Sequence, residues 1–139
     1  MLACKSIDKL HCTIFFMKQK SVIIDASAIM AVLLKEDEAM NVLQKTKGSV
    51  LLSAKCLPYE IANSLSRQLK RELVALEQAR KIFSIFNRLP IELVDFDNAL
   101  EFCAEEKHHA CDMFYLDCAV KNKCPLLTLD KNGRTGFDQ

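Results

Sequence analysis

The sequence predicts a three-layer α/β/α domain built on a parallel sheet of four or five strands. Three observations carry that expectation. Short apolar runs occur four times along the chain. The first, Val22 to Ile24, is β-branched and does not alternate with polar residues, as expected of a strand buried on both faces. Each pair of runs is separated by enough helical sequence for a crossover connection. Several runs also stop on a carboxylate. In "SVIIDASAI", Val22, Ile23 and Ile24 lead straight into Asp25.

Taken in order, residues 22–24 form the first strand and residues 27–34 have helical composition. Glu36, Asp37 and Glu38 open a second helical stretch, where acids complement the helix dipole. Gly48 stops it. Residues 50–53 form the second strand. Pro58 suits the first turn of a helix reaching about residue 69, and a further helix over about 74–87 ends ahead of Pro90. Residues 91–94 form the third strand. Asp97 reads as an N-cap for "NALEFCAEEKHH". Residues 112–122 form another helix, with Met113, Leu116 and Val120 at helical spacing. Residues 125–130, "PLLTLD", are the last strand. The order β-α-α-β-α-α-β-α-α-β calls for a parallel sheet with helices on both faces.

A chain of 139 residues fits one such domain. We assign it residues 21–139, with residues 1–20 as an N-terminal extension of uncertain order. Within that extension residues 14–17 are apolar, but the run is too short for a signal-peptide core, and Asp8, Lys9 and His11 stand just ahead of it. No apolar run approaches the length of a membrane span. Half the residues are hydrophobic and 27% are charged, which is globular composition. The formal net charge of +1 gives no global field for nucleic acid, so such a role rests on a local patch. The seven cysteines are odd in number and lack any C-x-x-C pair. They read as free thiols in a reducing cytoplasm. Cys103, His108, His109 and Cys111 lack the tight, paired spacing of zinc ligands.

In an open parallel sheet, ligands bind outside the carboxyl ends of the strands. Asp25 ends the first strand, Glu60 lies in the first turn of the helix after the second, Asp112 starts the helix ahead of the fourth, and Asp130 ends the fourth. Four acids on one rim repel each other unless protonated or bridged by cations. Carboxylate oxygens suit Mg²⁺ or Mn²⁺, and such ions serve phosphodiester hydrolysis. Each acid also has a plain structural reading as a helix cap or turn residue. Ser27 and Thr128 are placed to hydrogen-bond the carboxylates, or only local backbone. Asp95 and Asp97 close the third strand at the same rim. Asp117, five residues after Asp112, turns off that face and reads as flanking or surface-facing. Tyr59 and Tyr115 read as packing residues.

Arg67, Lys70, Arg71, Arg80 and Lys81 form a basic helical stretch. Arg67, Lys70 and Arg71 offer a surface for an RNA backbone, although a solvated helix face explains them too. The same stretch carries Leu65, Leu69, Leu73, Leu76, Ile82, Phe83 and Phe86. That is more apolar surface than one small core needs, and it suggests a partner or a homodimer.

These pieces together resemble the PIN-domain family, specifically the VapC-like toxin ribonucleases of toxin–antitoxin modules. "IIDASAI" resembles the first motif and gives Asp25 and Ser27. "LPYEIANSL" resembles the second and gives Glu60. "ACDMFYLDCAV" resembles D-x-x-Y-L-x-x-A and gives Asp112. "CPLLTLDK" resembles the last and gives Thr128 and Asp130. The resemblance spans residues 21 to about 134. It implies a cytoplasmic Mg²⁺- or Mn²⁺-dependent endoribonuclease whose metal ligands and catalytic groups are Asp25, Glu60, Asp112 and Asp130, supported by Ser27 and Thr128. It also implies RNA as substrate, a cognate antitoxin protein, a homodimer and no membrane. Three features depart from the family pattern: nine residues follow Asp130, where an edge strand is common; Asp117 stands where a small apolar residue is usual; and the chain has the extension described above. Two other readings remain. One is a catalytically silent PIN-like module that binds RNA or protein. The other is a phosphatase or phosphotransfer domain with Asp25 as nucleophile, although such domains usually carry a second carboxylate close behind the first.

Overall fold

The computed structural model describes residues 19–106 and 110–129. The N-terminal extension up to residue 18, Asp130 and the tail after it lie outside the described residues. Among the described residues, four strands and six helices follow in the expected alternation: β1 (Ser21–Ile24), α1 (Ala26–Leu33), α2 (Ala39–Thr46), β2 (Val50–Ala54), α3 (Leu57–Lys70), α4 (Leu76–Phe86), β3 (Ile91–Val94), α5 (Ala99–Glu106), α6 (Ala110–Asn122) and β4 (Leu126–Leu127).

The strands form one parallel sheet in the order β3-β2-β1-β4. Steps from β1 to β2 and from β2 to β3 run the same way across the sheet. Right-handed crossovers therefore put α1 to α4 on one face. The return from β3 to β4 passes back over β2 and β1, so α5 and α6 cover the other face. Packing agrees: α6 lies on β1, β2 and β4 with α5 beside it, whereas α1 contacts α2, α3 and α4. Being central, β1 must be apolar on both sides, and Val22, Ile23 and Ile24 are all buried. The core spreads from there through Leu52, Ala54, Leu57, Ile61, Leu65 and Phe86. Gly48, between α2 and β2, has φ +74 with nothing near an added Cβ. The backbone angle, not lack of space, selects glycine there.

β4 is shorter than the strand expected over 125–130. Its ladder with β1 has two paired positions, Ile23 with Leu126 and Ile24 with Leu127. Beyond them the Leu129 N–H leaves the ladder and donates to the Ser27 hydroxyl at 2.9 Å. The free thiols among the described residues are Cys56, Cys118 and Cys124. Burial pushes the Cys118 thiol up to about 11, so at neutral pH it is an uncharged small apolar group.

Three expectations need correction. Asp117 is not at the surface: it is 2% exposed. Roughly 140° around the helix from Asp112, it points at the loop after β3, where its Oδ2 accepts from the backbone N–H of Asp97 and Asn98. It thus caps the start of α5 from a different helix. Asp97 stands two residues before α5, ahead of the N-cap position, and is not the cap. Its carboxylate pairs with Lys121 at 2.7 Å instead. Tyr59 is not a packing residue either, being 74% exposed in the first turn of α3. A buried carboxylate that satisfies two backbone donors is costly to remove. Asp117→Ala is expected to lower stability by about 3 kcal/mol, and Asp117→Asn by less, since its amide oxygen still accepts. Urea unfolding monitored by circular dichroism checks both.

Candidate active site

The chain leaves β1 toward β2 on one side, while β4 lies on its other side, so strand order reverses between β1 and β4. In open α/β sheets the ligand crevice lies at such a switch point, outside the carboxyl ends of the strands. Asp25 follows β1 directly, and Thr128 and Leu129 follow β4.

Asp25 is 7% exposed. It is the N-cap of α1, with extended backbone, and its Oδ1 accepts from the Ala28 N–H at 3.0 Å and the Ser27 hydroxyl at 2.7 Å. The cap places this side chain against the free N–H groups of the helix start. Ser27 does two jobs. Its hydroxyl donates to Asp25 and accepts from the Leu129 N–H, joining the ends of β1 and β4. The fully buried Ser53 at the end of β2 donates to the Ile24 carbonyl at 2.6 Å, securing the same strand end from the other side.

Glu60 comes from the first turn of α3, a helix opened by Pro58. Its Oε2 accepts the hydroxyl of Tyr115 on α6. Tyr115 is 3% exposed. Burial, then the bond to Glu60 and the charges of Glu60, Cys56 and Asp25, push its phenol far above the usual range. Asp25 and Glu60 therefore both act on Tyr115. Asp112 sits three residues before Tyr115 in the first turn of α6, on the same helix face. Tyr115 is buried as the sequence reading expects of a packing residue, and its hydroxyl adds a contact to Glu60 that the sequence reading did not foresee. The D-x-x-Y spacing was the available signal, since it puts both residues on one face.

The other rim acids are engaged elsewhere. Asp95 pairs with Lys55 at 2.6 Å, and the Lys55 hydrogen bond holds its carboxyl below the usual range. Asp97 and Asp117 have the partners described above. Arg67 and Lys70 close α3 and Arg71 is its C-cap; Arg67 and Arg71 are exposed on the stripe of the helix that starts at Glu60, whereas Lys70 lies off it. The hard oxygen donors Asp25, Glu60 and Asp112 suit Mg²⁺ or Mn²⁺ in kind. Among the described residues, no group of three or more His, Cys, Asp or Glu side chains is arranged to hold a metal ion. The fourth expected ligand, Asp130, lies outside them.

A doubly wound parallel α/β domain with carboxylates at the carboxyl ends of its strands is the class these features define. Within that class, the PIN-domain family model matches residues 22–136, and the chain belongs to the PIN-domain family. PIN domains are generally nucleases. Two solved structures share the fold. PAE2754 from Pyrobaculum aerophilum is 20% identical with a TM-score of 0.60, covering 86% of this chain and 82% of that one. The sarcin–ricin loop cleaving toxin VapC20 from Mycobacterium tuberculosis is 13% identical with a TM-score of 0.56, covering 79% and 92%. No curated protein sequence matches the chain.

The Ser27 bridge predicts its own test. Ser27→Ala removes an acceptor from the Leu129 N–H and a donor from Asp25. It is expected to cost about 1–2 kcal/mol of stability by urea unfolding. Amide exchange is expected to rise most at Leu129.

Proposed function

We propose that this protein is a Mg²⁺- or Mn²⁺-dependent endoribonuclease, the toxin of a toxin–antitoxin pair. The observation that carries the reading is the strand-end arrangement in a PIN-family chain. Asp25 is held by Ser27, and Ser27 in turn holds the backbone immediately before Asp130. Asp25, Glu60, Asp112 and Asp130 are the proposed ligands and catalytic acids. When bound, the cation supplies Lewis-acid stabilisation of the scissile phosphoryl group and lowers the pKa of the attacking water. The protein's own part is orientation: Ser27 fixes Asp25, and Thr128 supports Asp130.

RNA as substrate draws support from the shared fold with a toxin described as cleaving the sarcin–ricin loop. It draws further support from Arg67 and Arg71. Seven residues from Glu60 is about 10 Å along the helix, a span suited to backbone phosphates beyond the scissile one. Lys70 adds charge at the same helix end. A homodimer fits the exposed apolar residues around the α3–α4 turn, Leu73 at 63% and Leu76 at 54% exposure. An antitoxin and a cytoplasmic setting complete the proposal. Among the described residues, no helix is long and apolar enough to cross a membrane.

A catalytically silent PIN-like module is the rival, and the lack of a three-ligand cluster among the described residues is the observation in its favour. Cleavage of a mixed RNA pool under Mn²⁺ titration separates the two. The nuclease reading expects metal-dependent cleavage that falls at least about 10–100-fold in Asp25→Asn. Equal activity in the two proteins would sink it.

A further inference from the structure

A buried tyrosine needs a partner for its hydroxyl. Tyr115 finds one on another helix, 55 residues away in sequence, in Glu60. Packing alone does not ask for this, because phenylalanine would fill the same space. The hydroxyl matters for what it does to the carboxylate. Glu60 is a half-buried side chain with three torsions, and an unrestrained one loses rotamer freedom when it captures a cation. A carboxylate already held by one oxygen has lost most of that freedom beforehand. Outer hydrogen bonds of this kind orient metal-binding side chains and tune their affinity.

We infer that Tyr115 is a positioning residue for Glu60: its hydroxyl holds Oε2 and presents Oε1 to the divalent cation. The inference rests on the metal-dependent reading above. The same bond ties α3 to α6. Asp112 lies one turn earlier on the same face of α6, so the bond that ties Tyr115 to Glu60 also anchors the turn that carries a second proposed ligand. Phe96 stacked on Phe114 at 4.1 Å and the Cys118 thiol donating to the Asp95 carbonyl at 3.7 Å hold the rest of α6 against the loop after β3. Losing the hydroxyl alone therefore leaves the helix docked.

The test is Mn²⁺ binding by titration calorimetry to the full chain and to the Tyr115→Phe, Glu60→Ala and double variants. Tyr115→Phe is expected to bind Mn²⁺ about 10–100-fold more weakly. The double variant is expected to bind no more weakly than Glu60→Ala alone. Excess Mn²⁺ is expected to restore RNA cleavage by Tyr115→Phe, which a misfolded protein would not show. Unchanged affinity in Tyr115→Phe, or a loss that adds fully to that of Glu60→Ala, overturns the inference and leaves the metal reading intact. An unmutated chain that binds no Mn²⁺ overturns the metal reading, and the inference with it. Should Tyr115→Phe fail to fold, the unmutated protein decides. Its Tyr115 hydroxyl proton is expected as a slowly exchanging NMR resonance that shifts on adding Mg²⁺; a resonance that is missing or insensitive to Mg²⁺ overturns the inference.

Discussion

Strands β1 and β4 meet through two paired residues on each side, and the candidate site straddles that short seam. A two-residue ladder is a weak join, so whatever extends it governs how the strand ends are held. Ser27 supplies the extension by bonding Asp25 with its proton and Leu129 with its lone pair. One hydroxyl thus converts a strand pairing into a fixed relation between Asp25 and the segment carrying Asp130. On the opposite side of β1, Ser53 performs a similar service for the Ile24 carbonyl. Small hydroxyl residues, not large apolar ones, set the geometry at the end of the central strand.

Helix α6 is the second organising element. It covers the sheet face opposite α1 to α4, and its polar residues are distributed around its circumference with separate tasks. Tyr115 reaches Glu60 on α3, Asp117 caps the start of α5, and Lys121 pairs with Asp97. Asp117 illustrates how a buried charge is tolerated. Two backbone donors at a helix start replace its water, and no polar side-chain atom buried among the described residues lacks a partner. The same packing that buries these groups carries Asp112 to the rim.

Much of this was legible in the sequence. The apolar, non-alternating run at residues 22–24 marked a strand buried on both faces, and the alternation of strands and helices fixed the parallel sheet. Asp25 and Glu60 fell at a strand end and a helix start because local signals, an abrupt charge and Pro58, mark those boundaries. What failed was the reading of partners. Helical angles placed Asp117 off the Asp112 face, but angle alone does not distinguish solvent from a neighbouring loop. Asp97 had the composition of a cap, yet it stands two residues ahead of α5 and its carboxylate pairs with Lys121. Tyr59 and Tyr115 looked alike in sequence. One is exposed and the other buried against a carboxylate, a difference created only by the docking of α6 on the sheet.

The proposed function requires Asp25, Glu60, Asp112 and Asp130 to share one cation. A crystal of the full chain soaked in Mn²⁺, with anomalous scattering used to locate the ion, tests it directly. The account predicts a single strong peak at about 2 Å from carboxylate oxygens of Asp25 and at least two of Glu60, Asp112 and Asp130. Ordered carboxylates with no peak between them, or a peak held only by residues elsewhere on the surface, would contradict it.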